Sequence, residues 1–175
     1  MSILSLLGKP LVWGAAAAAV LLLEQTGHLG AVMQQVGLGS PAHAAVAGDP
    51  AQDRMAQAER DAQSTLPRFV AELTRGGQAW DLNAVRVRVG SGDVWIENIA
   101  LIGNDMLRGM PSAGQEGLPN APMQVAMADV IDWAFVKNGQ GYGYYTVHAS
   151  LEALPPAQAA VARSFLADRP LPQGW

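Results

Sequence analysis

Two strand-like runs joined by a glycine-bearing turn constrain this chain more than any other stretch. The first is Asp129-Val130-Ile131-Asp132-Trp133-Ala134-Phe135-Val136, followed by Lys137-Asn138-Gly139-Gln140-Gly141. The second is Tyr142-Gly143-Tyr144-Tyr145-Thr146-Val147-His148-Ala149-Ser150-Leu151. β-Branched and aromatic residues on either side of a polar turn mark a hairpin. Strand alternation puts Ile131, Trp133 and Phe135 on one face, with Asp132 and Ala134 on the other. In the second run Tyr145, Val147, Ala149 and Leu151 alternate with Tyr144, Thr146, His148 and Ser150. Each run thus has one apolar and one mostly polar face, and Trp133 is expected to be a core anchor.

The turn sets how those faces meet. A two-residue Asn138-Gly139 loop suits a type I′ turn, but it sets Asp132 beside Tyr145 and Trp133 beside Tyr144. A slip of one residue moves every side chain to the opposite face. A three-residue loop, Gly139-Gln140-Gly141 with Gly141 in the left-handed bulge position, keeps apolar residues together. It pairs Phe135 with Tyr145, Trp133 with Val147, Ile131 with Ala149 and Asp132 with His148. This second register is the expected one, with Asp132 raising the pKa of His148.

The flanking sequence supplies the other elements. Met55, Ala62, Leu66, Phe69 and Leu73 form one apolar stripe in residues 51–75, as in an amphipathic helix. Pro67 is expected to kink that helix or to open a second one capped by Thr65, and Gly76-Gly77 to end it. Val85, Val87 and Val89 alternate with Arg86 and Arg88, so this strand is expected to have one buried and one wet face. Residues 94–102 are apolar on both sides, as in a covered central strand. Short strands over 106–110 and 123–127 bracket a proline-bearing loop at 111–122, the candidate mobile rim. Pro155-Pro156 opens a last helix, with Val161, Phe165 and Leu166 as its apolar edge. The expected fold is α+β: a small curved antiparallel sheet of five or six strands, or a partly open barrel, flanked by two helices.

The N-terminal part is different in kind. Residues 3–23 carry a single charge, Lys9, and as a helix would span roughly 30 Å. Three readings are open: an uncleaved signal-anchor, a signal peptide cleaved near Ala44 or Ala47, or a buried helix. Either of the first two places the rest of the chain outside the cytoplasm. In a bacterium that means anchored in the inner membrane with a periplasmic domain, or released to the periplasm. The expected organisation is 1–24 hydrophobic helix, 25–50 flexible linker and 51–175 one domain, with the membrane and an unidentified protein as partners. His28 and His43 are read as solvated linker residues.

Composition narrows the chemistry. Eleven Lys and Arg against fifteen Asp and Glu give a net charge of −4, which offers no basic footprint for nucleic acid. There is no cysteine, so thiolate catalysis and cysteine metal sites are excluded. No phosphate loop, nucleophile elbow, zinc-protease helix or dinucleotide fingerprint occurs. Asp132 and His148 form the one carboxylate–histidine pair, flanked by Thr146 and Ser150; with Tyr144 and Thr146 they are the binding candidates. A zinc site would want a third protein ligand beside this pair, and Asp129 is the only nearby offer. No catalytic residue, metal or cofactor is assigned. A non-enzymatic interaction or ligand-binding module is the expected function. The alternative is a small hydrolase or metal-dependent enzyme using Asp132 and His148.

Residues 62–69, Asp93-Val94-Trp95-Ile96, Asp129-Val130-Ile131-Asp132-Trp133 and Gly143-Tyr144-Tyr145-Thr146 together resemble the bacterial YegJ-like family, a domain of unknown function. The resemblance covers residues 56–154. This chain departs from it at Gly92-Asp93, where the family often has Glu-His. The family also often has glycine at the place of Tyr144 and arginine at that of His148. The resemblance implies the fold and no established reaction.

Overall fold

The computed structural model describes residues 49–75, 80–90, 92–112, 118 and 120–175. The expected hydrophobic helix at 3–23, the tether up to residue 48 and half of the 111–122 loop lie outside these residues. Among the described residues no helix is long and apolar enough to cross a membrane.

Helix α1 spans Pro50–Thr74. Asp49 starts it by accepting from the backbone N–H of Ala51, and Pro50 occupies the first turn, where its missing N–H costs nothing. Ala58, Ala62, Leu66, Phe69 and Val70 are its buried residues, at the spacing of one helical face. Pro67 lies inside the helix, which continues through it, so Thr65 is not a cap.

Strands β1 (Leu82–Val89), β2 (Gly92–Ile102), β3 (Met106–Pro111), β4 (Met123–Ala126), β5 (Val130–Lys137) and β6 (Gln140–Gly143) form one antiparallel sheet in the order β4-β3-β2-β1-β5-β6. The link from β4 to β5 is a single 3₁₀ turn, Met127–Asp129. Its few peptide units reach at most about 14 Å. Four inter-strand spacings separate β4 from β5, roughly 19 Å in a flat sheet. The sheet must therefore curl, and it forms a half-barrel. A bulge in β2, where pairing shifts between Glu97 and Ala100, lets that strand bend. Asn98 takes φ +55° there, and the Asn83 side chain accepts the backbone N–H of Ile99.

The hairpin departs from expectation. Pairing runs Lys137↔Gln140, Val136↔Gly141, Phe135↔Tyr142 and Ala134↔Gly143. Asn138 and Gly139 both have positive φ (52° and 75°), so the turn is the two-residue type I′ loop and not the three-residue one. Its apparent mixing of faces never arises, because the second run leaves the sheet. Gly143 (φ +76°) and Tyr144 (φ +50°) turn the chain out, and residues Tyr145–Ser150 form helix α2. Only glycine fits at 143: an added Cβ would lie 2.1 Å from the Trp133 carbonyl oxygen. Among the described residues there are thus three helices, the last being α3, Pro156–Phe165.

Both faces of the sheet are covered. On one, α1 packs Phe69 and Leu66 against Val85, Val87, Trp133 and Phe135. On the other, Tyr144, Val147, Ala162 and Phe165 cover Ala84, Trp95, Ala134 and Val136. The face expected to be wet is therefore a second core. Two finer expectations change as well. A register shift between Arg86 and Val87 sets Val130 opposite Val87, and Ile131, expected on the apolar face with Trp133, is only half-buried. On α3 the buried edge is Ala159, Ala162 and Phe165, while Val161 is 45% exposed.

Candidate functional site

Asp132, expected on a wet face, is fully buried. Its Oδ1 accepts from the backbone N–H groups of Trp133 (2.8 Å) and Tyr145 (3.1 Å). Its Oδ2 accepts from the N–H (2.8 Å) and the hydroxyl (2.6 Å) of Thr146. A carboxylate offers about four acceptor positions, and these bonds occupy much of that capacity. Asp132 is therefore engaged in holding the start of α2 onto β5. Arg86, its register partner on β1, donates to Thr146 Oγ1 at 2.9 Å and pairs with Asp93 at 3.1 Å. Its side chain is only 15% exposed, so it belongs to this buried network and not to a solvated face.

His148 lies on α2, one turn after Tyr144, whose carbonyl its N–H meets. Since the second strand does not form beyond Gly143, the cross-strand pair with Asp132 does not form either. Burial pushes the His148 pKa below its ordinary value, the reverse of the expected direction, with no contribution from Asp132. Its Nε2 is enclosed and has no hydrogen-bond partner among the described residues. No group of three or more metal-ligating side chains gathers among those residues. Tyr144 is buried between Trp95 (ring centroids 5.4 Å) and Phe165 (5.6 Å). Tyr145 points to the α1 side, where Thr65 donates to its phenol at 2.9 Å; burial, partly opposed by that bond and reinforced by Asp132, raises its pKa.

The surface feature lies elsewhere, past the end of α1. Pairing of Phe135 with Tyr142 and of Lys137 with Gln140 extends one sheet face beyond the helix. There Trp80 and Trp175 take over from the helix as cover. The rings lie nearly parallel: Phe69 on Trp80 (5.5 Å, 7°), Trp80 on Phe135 (4.5 Å, 17°), Phe135 on Tyr142 (5.0 Å, 15°) and Phe135 on Trp175 (5.2 Å, 22°). Trp80, Phe135, Tyr142 and Trp175 line a cleft of ≈ 250 Å³ together with Pro172 and the polar residues Lys137, Asn138 and Gln140.

The cleft is fixed in shape by its own polar groups. Asp81, next to Trp80, accepts the N–H of Gly139 at 3.1 Å and donates its own N–H to Val136 at 2.8 Å, pinning the type I′ turn. Tyr142 donates its phenol proton to Gln140 Oε1 at 3.0 Å, which leaves the amide nitrogen as donor. Arg68 donates to the backbone oxygen of Trp175 at 2.7 Å and ties that segment to α1.

Sequence reasoning did not single out Trp80, Trp175, Lys137, Asn138 or Gln140 as site residues. The available signal was two tryptophans in turn-like, proline- or glycine-flanked contexts. A large ring with no strand or helix face of its own must find cover on a neighbouring core. No family model, curated protein or solved structure matches the chain.

Proposed function

We propose that this is a non-enzymatic binding module of the bacterial cell envelope, tethered by residues 3–23 or released to the periplasm after cleavage. The observation that carries the binding reading is the pinned aromatic cleft lined by Trp80, Tyr142 and Trp175, with amide and ammonium groups in the same lining. Ligand sites are concave, largely apolar and supplied with a few placed polar groups. The alternative, a hydrolase or metal-dependent enzyme using Asp132 and His148, rested on a cross-strand pair that does not form. Kinship with the YegJ-like family is part of the same proposal. It is supported at Tyr144, where the left-handed backbone is the conformation that the family's frequent glycine favours.

The test is crosslinking in intact membranes from a photoreactive residue placed at Gln140, exposed on the rim. The same residue at Val161, exposed on α3, is the control. A product specific to position 140 is expected. Equal labelling from both positions overturns the assignment of the cleft. Alkaline washing of those membranes checks the tether, since an anchored chain stays in the pellet.

A further inference from the structure

We infer that the cleft takes a saccharide: one pyranose ring stacked against the aromatic wall and held at its polar edge by Lys137, Asn138 and Gln140. The inference rests on the binding reading above and names its ligand class. A pyranose has a face of C–H bonds and an edge of hydroxyls. The cleft lining supplies both kinds of group, the half-buried rings of Trp80, Tyr142 and Trp175 and the donors of Lys137, Asn138 and Gln140. Its ≈ 250 Å³ falls below the roughly 300–1,000 Å³ of pockets for drug-sized ligands, and suits a single ring. The ammonium of Lys137 disfavours a cation, although stacked aromatic rings otherwise attract one. It favours a hydroxyl or carboxylate. The free amide donor of Gln140, oriented by Tyr142, and the turn pinned by Asp81 mean that little ordering is needed on binding. A polyproline helix also docks on aromatic rings, but across a groove with successive slots. At ≈ 250 Å³ this cleft holds one ring rather than a row of slots.

The experiment is a titration of the full 175-residue chain, following the indole N–H signals of Trp80 and Trp175 by NMR. The probes are cellotetraose, tetragalacturonate and deca-proline. Shifts of both indoles with a saccharide, and not with deca-proline, are expected. Gln140→Ala should weaken saccharide binding about tenfold, and Lys137→Gln should weaken tetragalacturonate more than cellotetraose. Both residues are exposed, so the variants keep the fold. Shifts with deca-proline alone overturn the saccharide and leave the cleft as a peptide site. Silence from all three probes overturns the saccharide, and the crosslink from position 140 then decides the binding reading separately.

Discussion

One oxygen of the Asp132 carboxylate holds Thr146 twice, through its backbone N–H at 2.8 Å and its hydroxyl at 2.6 Å. Removing the carboxylate leaves several buried donors without an acceptor, the costly side of the hydrogen-bond balance. Asp132→Ala should destabilise the fold by about 3–5 kcal/mol, the range for breaking a buried charged network. Thr146→Val should cost about 1–3 kcal/mol. Because they share bonds, the double variant should lose less than the sum of the two. Denaturant midpoints of the four proteins check this, and strict additivity would refute the shared network.

Trp133 is fully buried, and its indole N–H reaches the Ala62 carbonyl at 3.0 Å and Thr65 Oγ1 at 3.1 Å. Trp133→Ala should cost about 3–5 kcal/mol. Trp133→Phe should retain much of the ring packing but lose the bond to α1. An unchanged unfolding midpoint in Trp133→Ala would mean the ring is not in the core.

His148 gives the stability a sign with pH. Its folded pKa is lowered by burial, so above the ordinary value of 6.5 the imidazole is neutral in both states and costs nothing. As pH falls through 6.5 the unfolded chain takes up the proton first, and stability declines until the folded value is passed. The wild type should therefore lose more stability between pH 7 and about pH 5 than His148→Gln does. A His148 NMR titration midpoint above 6.5 in the folded chain would contradict the buried environment.

Gly143 at φ +76° sits against the Trp133 carbonyl. The left-handed backbone alone costs an L-residue roughly 1–2 kcal/mol, and forcing atoms into a filled space about 1–3 more. Gly143→Ala should thus be among the most damaging single-methyl changes in the chain. Gly90→Ala, with a positive φ but open space around it, should cost only the backbone part. Equal midpoints for the two variants would show that the close approach to Trp133 is relieved cheaply.

Periodicity was enough to locate α1 and β1 to β5, because each buries a face whose repeat is written in its own residues, whereas α3 was located by the Pro155-Pro156 pair that opens it. The core positions of Trp133, Val85, Val87 and Phe69 follow from the same alternation. What periodicity missed lies where distant groups decide. Residues 144–150 alternate as a strand would, yet two consecutive positive-φ positions and the Asp132 carboxylate, reaching across from β5, make them a helix. Asp132 and Arg86 read as surface charges because their partners, Thr146 and Asp93, meet them only once the chain has folded. The cleft is likewise a tertiary product: Trp80 and Trp175 lie far apart in sequence and meet over Phe135 because the sheet face outruns the helix covering it. Local pattern determines which elements form, whereas long-range hydrogen bonds and ring contacts determine where a strand stops and which face stays open.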